Sequence, residues 1–365
     1  MGTTASRTRG YRDAESRPEA GRGYAGLRVI AAAEPRPARR GVSPVLAFLG
    51  RRLVGAVAAL LAASVLIFAA VQVLPGSAAS AVLGRNASPE AVRILTHQMR
   101  LDRPASARYT DWLKGFVRGD LGDSAVALAQ GANRAPIWPL ISGSLKNSAI
   151  LAAITALLMI PLSLGLGALA AVRAGRPTDH LISLGSLAAV SMPEFVIGSL
   201  LVAVFFVGLH LLPPVAIVPP GGDPLSNPKQ LVLPVATLLF ASLAAGIRMV
   251  RAGTFEVLRS EYVQTARLNG LSERRVILRY ALRNALAPSV QVLAQNLQYL
   301  VGGVIVVEAV FAYPGIGSQL VSAVQDRDVT VVQSVAMLIA IVYVAINLVA
   351  DLIVMLLVPK LREPA

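Results

Sequence analysis

Residues 261–270 read EYVQTARLNG, and the chain runs on through LSERRVILRYALRNALAP to residue 288. This stretch is polar and strongly basic. It lies between two apolar segments, 231–250 and 286–310, each long enough to cross a bilayer. A basic loop in that position is expelled from hydrocarbon and implies a task outside the lipid. Phe255, Leu258, Tyr262 and Ala266 recur at helical spacing and predict one apolar stripe. Gly270 ends that helix as a residue tolerant of positive φ. Ser272 is the expected N-cap of a second helix carrying Val276, Ile277, Tyr280 and Ala281. The prediction is helix, tight turn, helix near the membrane surface, leading into 286–310. Small Ala266 and Gly270 are expected to admit a partner's cleft, while Glu261 and the arginines fix register by charged pairing. A basic interfacial helix that only binds anionic lipid is the plainer alternative. It gives no reason for an acid, a small residue and a glycine at these spacings.

The rest of the chain sets this loop in context. Of 365 residues, 55% are hydrophobic and 15% charged, where a soluble domain carries about a quarter charged. Mean hydropathy is +0.63. The apolar residues fall in blocks, which predicts an all-α polytopic membrane protein. Six spans are expected, at 45–74, 145–172, 181–212, 231–250, 286–310 and 331–358. The net charge of +14 raises nucleic-acid binding, but stacking aromatics are scarce at 5% and the arginines flank apolar spans. Topology explains the charge better. There is no cysteine, which excludes disulfides and leaves the redox compartment open.

Arg39, Arg40, Arg51 and Arg52 precede the first span, Arg173 and Arg176 follow the second, and Lys360 and Arg362 follow the sixth. With the arginines of 248–283, all fall on one side if six spans leave both termini in the cytoplasm. The opposite short loops carry only Lys229 and Arg327. Residues 1–43 form the expected disordered basic cytoplasmic tail, read as a solvated extension before a lipid-headgroup binder. No short apolar run near the start marks a signal peptide. Residues 44–74 are the first span. Residues 75–144 are expected to fold outside the membrane as a cap over a vestibule, with a helix over 89–99 begun by Ser88. A passive loop on the membrane surface is the alternative there. Residues 145–358 form the core of five further spans, including the loop 251–285, and 359–365 a cytoplasmic C-terminus.

Inside the spans, Pro161 and Pro193 are expected to kink their helices and Pro288 to bend the entry of the fifth. Gly165, Gly167, Gly302 and Gly303 are expected to allow close helix approach. Ionisable residues at membrane depth are functional candidates. Glu194 lies mid-span beside the Pro193 kink, where it either faces a pathway or hydrogen-bonds within the bundle. Glu308 precedes FAYPGIG, in which Tyr313, Pro314 and Gly315 suggest an outer gate. Asp351 is expected to pair with Lys360 or Arg362. His97, His180 and His210 have no metal-ligand spacing.

The spacing of Glu261, Ala266 and Gly270 resembles the cytoplasmic EAA loop of permease subunits in bacterial ABC importers. The resemblance extends over nearly the whole chain beyond the tail. RRLVGAVAALLAASVLIFAAVQVLPGS, YTDWLKGFVRGDLGDS, SMPEFVIG, YVQTARLNGLSERRVILRYALRNALAP, VVEAVFAYPGIG and NLVADL stand in one order. That order is similar to the dipeptide/oligopeptide/nickel class. The resemblance implies a subunit of the bacterial plasma membrane paired with a second, similar permease. It also implies two ATPase subunits inside and a substrate-binding protein outside. Glu261, Tyr262, Ala266, Arg267, Gly270 and Leu271 are the implied ATPase-coupling residues. The implied cargo is di- or oligopeptides, with nickel complexes, glutathione or another small solute as alternatives. The chain has no G-x-x-x-x-G-K-[ST] sequence. It is therefore expected to be non-catalytic, with ATP and magnesium bound by partner subunits. Two departures from the class pattern are Val358-Pro359-Lys360, in place of an Asp-Pro-Arg-like ending, and Glu194 where a small or neutral residue is common. An ATP-independent channel or carrier would leave loop 251–285 without a partner. A membrane-embedded enzyme would need convergent acids or nucleophiles, and the ionisable span residues are dispersed.

Overall fold

A computed structural model describes residues 44–72, 78–84, 88–219 and 221–357. The expected tail over 1–43 and C-terminus over 359–365, with Lys360 and Arg362, lie outside them. The first long helix is α1 (Pro44–Gln72). Four short helices follow: α2 (Ala78–Leu83), α3 (Pro89–Gln98), α4 (Ala105–Val117) and α5 (Ala125–Ala129). Then come α6 (Ile137–Val172), α7 (Pro177–Val190) and α8 (Glu194–Val202), the last widening into a π turn over Ala203–Gly208. The second half holds α9 (Pro228–Leu258), α10 (Glu261–Leu268), α11 (Glu273–Arg275) with a π turn over Val276–Ala281, α12 (Leu282–Val310), α13 (Ile316–Gln325) and α14 (Val329–Leu357).

Among the described residues, α1, α6, α9 and α14 are long and apolar enough to cross a membrane, and α7 with α8 makes a fifth if counted as one broken span. The single third span expected over 181–212 is therefore corrected: α7 and α8 are bent by 110° about Ser191–Pro193. Pro193 has no N–H to continue α7, so its carbonyl instead starts α8 by accepting from Val196 and Ile197. The Ser191 hydroxyl covers the Leu187 carbonyl at 2.9 Å. Pro161, by contrast, lies within one helix of 36 residues and does not break it.

α6 begins at Ile137, eight residues before the expected 145. The polar letters GSLKNS hide its first turns from a hydropathy reading. Those turns bury Ile137 and Ile141 against Leu121, Ile316, Val331 and Val335. Asp328 is the tie here. Its carboxylate accepts from Ser124 Oγ and from the N–H groups of Ala125 (3.1 Å), Val126 (3.3 Å) and Val331 (3.2 Å). One buried acid thus caps both α5 and α14. Ser88 caps α3 by accepting from Ala91 N at 3.2 Å, as its sequence predicted. Helix α4 lies along α1 through Phe68, Tyr109, Trp112 and Phe116, with Arg108 donating to Gln72 at 2.8 Å.

The centre is α6, α9 and α12, joined by Leu151, Leu233, Leu238, Leu300, Val304 and Val307. Of the four glycines expected to permit close approach, Gly167 does so most tightly. A Cβ there would stand 2.6 Å from Val250 Cβ and 2.8 Å from the Ile247 carbonyl. Gly165 and Gly302 face open space.

Candidate functional site

The helix–turn–helix lies at the foot of α9. The backbone leaves the helical path at Arg259–Ser260, and α10 begins at Glu261, an acid in the first turn where the helix dipole favours one. Asn269 ends α10 and Gly270 reverses the chain with φ +76°. Ser272 holds the N-cap position of α11 through its carbonyl, which accepts from Arg275 N and Val276 N, and makes no side-chain cap bond.

Two expectations change here. The stripe Phe255–Leu258–Tyr262–Ala266 is not one face, because α9 and α10 are separate helices. The buried set is Val263, Ala266 and Val276, with Val257, Leu271 and Tyr280 packed beside them. Ala266 is buried against Val263 and Val276, inside the module's own core. Gly270 is required by its backbone, since a Cβ there would meet nothing within 4 Å. Arg267 is an internal brace. It forks onto Glu273 at 2.6 and 3.1 Å, and holds the Glu273 carboxyl below the usual carboxylate range. The outward face carries Glu261, Tyr262 and Leu268. Leu268 is 88% exposed, an apolar side chain that the module's own core leaves uncovered.

One ion pair joins this foot to the α6–α7 hairpin. Arg251 donates through Nε and Nη2 to both oxygens of Asp179, at 2.6 and 2.8 Å. The same carboxylate accepts from Gly175 N at 2.9 Å and Ser183 Oγ at 3.3 Å. Asp179 is almost fully enclosed. Sequence reading missed it, because 72 residues separate the partners and spacing names no partner at that range.

Glu308, Tyr313, Pro314 and Gly315 are brought together in one buried knot. The Glu308 carboxylate is fully enclosed and accepts from Ser148 Oγ, from Gly317 N at 2.7 Å and from Ser318 N at 3.2 Å. It therefore sits on the N-terminus of α13. Ser148 Oγ also accepts from Ile316 N, Tyr313 OH donates to the Asn147 carbonyl, and Asn147 Nδ2 donates to the Pro314 carbonyl. The knot fastens the turn 311–315 to α6 and presents no carboxylate oxygen to solvent. Glu194 is apart from it and half-buried. It accepts from Tyr299 OH beside a groove of about 350 Å³ lined by Met192, Ser242, Gln295 and Asn296. Asp351 pairs with Arg52 of α1 at 3.1 Å, while Lys360 and Arg362, the partners expected for it, lie outside the described residues.

Comparison with known proteins decides the class. Residues 163–363 match the model of the "Binding-protein-dependent transport system inner membrane component", and 45–164 match the N-terminal model of that membrane component. This chain belongs to that family. It is 33% identical over 318 residues to the "Glutathione transport system permease protein GsiC" of Escherichia coli O6:H1, covering 87% of this chain and 99% of the relative. The proteins of that name from E. coli K12 and Shigella dysenteriae serotype 1 match to the same extent. The chain is thus a multi-pass inner membrane permease of a transport system. The two family models meet inside α6, at Ser163. The N-terminal model covers α1, the short helices and most of α6, with Asn147 and Ser148 of the knot. The other holds the α9–α11 foot, the Asp179–Arg251 pair and, of the knot, Glu308 and the turn 311–315. No signal in the sequence alone pointed to Tyr299 or Asp328, because their partners Glu194 and Ser124 lie 105 and 204 residues away in the chain.

Proposed function

We propose that the chain forms half of the translocation pathway of an ATP-driven, binding-protein-dependent importer, and that α10 with the Gly270 turn is its contact with an ATPase subunit. The observation that carries this reading is the foot of α9. A compact module with its own small core offers Glu261, Tyr262 and exposed Leu268 on a basic loop between apolar helices. Six spans, both termini in the cytoplasm and a second homologous permease as heterodimer partner complete the proposal. Two ATPase subunits bind the ATP and magnesium, and a substrate-binding protein docks outside. The proposed cargo is a short peptide. Glutathione is the second reading, favoured by the name of the relatives. ATP closure of the ATPases moves the α10 foot, and α9 and α12 rock with it, provided ATP binds one state better than the other.

Gly270→Leu is the direct test in proteoliposomes that hold the complete transporter. A bulky side chain at φ +76° strains the turn. Uptake is expected to fall at least about tenfold, the equivalent of about 1.4 kcal/mol, while the protein still inserts and the ATPases keep basal turnover. Unchanged uptake and unchanged substrate-stimulated ATPase activity would remove α10 from the coupling path.

A further inference from the structure

A second site lies at the other edge of the molecule, between α1 and α14. The two helices part to leave a groove of about 600 Å³. Its α1 wall carries Arg51, Arg52, Gly55 and Ala59, which recur at helical spacing and share one face. Its α14 wall carries Val344, Asn347, Leu348 and Asp351. Polarity runs in one direction along it. Both guanidinium groups and the carboxylate stand at one end, and beyond them, apart from the Asn347 amide that donates to the Tyr343 carbonyl at 3.1 Å, apolar side chains line the way to Ala59 and Val344, about 12 Å away by helical rise. Arg52 is held by Asp351 and by the Phe48 ring, 5.5 Å away. Arg51 has no ion pair among the described residues, so the charged end keeps a net positive charge. The space is real at the midpoint: a Cβ on Gly55 would meet nothing within 4 Å.

We infer that this groove holds an anionic phospholipid, its phosphate at Arg51 and Arg52 and one acyl chain along Gly55 and Ala59. A free phosphate would be satisfied by the charged end alone and gives no reason for the apolar run beyond it. A protein helix would have to bring an acid to Arg51 and fill the apolar end as well. A lipid supplies both in the right order at this depth. The inference rests on the proposed orientation, which places this end of α1 in the cytoplasmic leaflet. That orientation is open to a separate labelling test, so the two can fail independently.

The experiment is native mass spectrometry of the full-length chain in mild detergent, with added phosphatidylglycerol, phosphatidylcholine or glycerol phosphate. Wild type is expected to retain one phosphatidylglycerol in preference to phosphatidylcholine. Arg51→Ala is expected to weaken that retention about fivefold, the worth of one cation at an anionic surface. Gly55→Leu, which has room for its side chain, is expected to expel the lipid without loss of fold. Equal retention of the two lipids, or variants that behave as wild type, overturns the inference. Competition by glycerol phosphate overturns it in favour of a free-anion site. Loss of a protein subunit rather than lipid mass from Gly55→Leu overturns it in favour of a protein interface.

Discussion

Glu308 is an acid placed where no solvent reaches and, among the described residues, no basic side chain pairs with it. Its charge is met by Ser148 Oγ and by two N–H groups at the start of α13. Such an arrangement is stable only while every donor keeps its acceptor, since an orphaned buried polar group costs about 1–3 kcal/mol. Gly315 completes the fit, because a Cβ there would overlap the Glu308 carboxylate. Gly315→Ala is therefore expected to destabilise the protein by about 2–3 kcal/mol, as overpacking does, read as a lower thermal unfolding midpoint in detergent. Shortening the acid relieves the overlap. Gly315→Ala with Glu308→Asp is expected to lose less than the sum of the two single changes. Simple additivity would show that the carboxylate and Gly315 do not share the contact seen here.

At the scale of elements, long helices were legible and their joints were not. Hydropathy placed α1, α6, α9 and α14 because a buried or lipid-facing helix needs an uninterrupted apolar run. Pro193 marked a joint in the third span, but a bend of 110° depends on how α7 and α8 pack, which no local signal carries. The turn at Gly270 was legible because positive φ selects glycine. The break at Arg259–Ser260 was not, since neither residue forbids a helix. Ion pairs across elements were hidden for the same reason as Asp328. The Asp179–Arg251 pair matters most, because it ties α7 to α9 two turns above the α10 foot. Removing one partner of a fully enclosed pair costs about 3–5 kcal/mol. Arg251 keeps 35% of its side chain exposed, so a smaller loss of about 2 kcal/mol is expected for Asp179→Asn. If the pair carries motion from α9 to α7, uptake in Asp179→Asn drops more than ATP hydrolysis. The reversal Asp179→Arg with Arg251→Asp then regains part of that ratio. A proportional fall in both activities with no recovery would make the pair a fold support only.

At the scale of the whole molecule, burial separates a centre from a rim. In the apolar window of α9 56% of residues are buried inside the chain, against 11% for α1, so α1 is the helix most in need of something outside the chain against its surface. Lipid, a second permease or both supply that, and the choice depends on which end of each helix faces the cytoplasm. Charge argues for one answer, because the basic clusters at Arg51–Arg52, Arg173–Arg176 and the α10 foot fall on a common side only with an even number of spans and both termini inside. The chain contains no cysteine, so single thiols can be introduced without removing any. Leu268 and Val117 are 88% and 78% exposed and lie on opposite faces of the proposed membrane. In intact spheroplasts, a membrane-impermeant maleimide is expected to label Val117→Cys at once and Leu268→Cys only after permeabilisation. The reverse pattern would turn the molecule over, put the Gly270 turn outside, and leave it with no ATPase to meet. Labelling of both in intact cells would mean an even number of crossings between them, against the odd count of three that α6, the bent α7–α8 pair taken as one span, and α9 require.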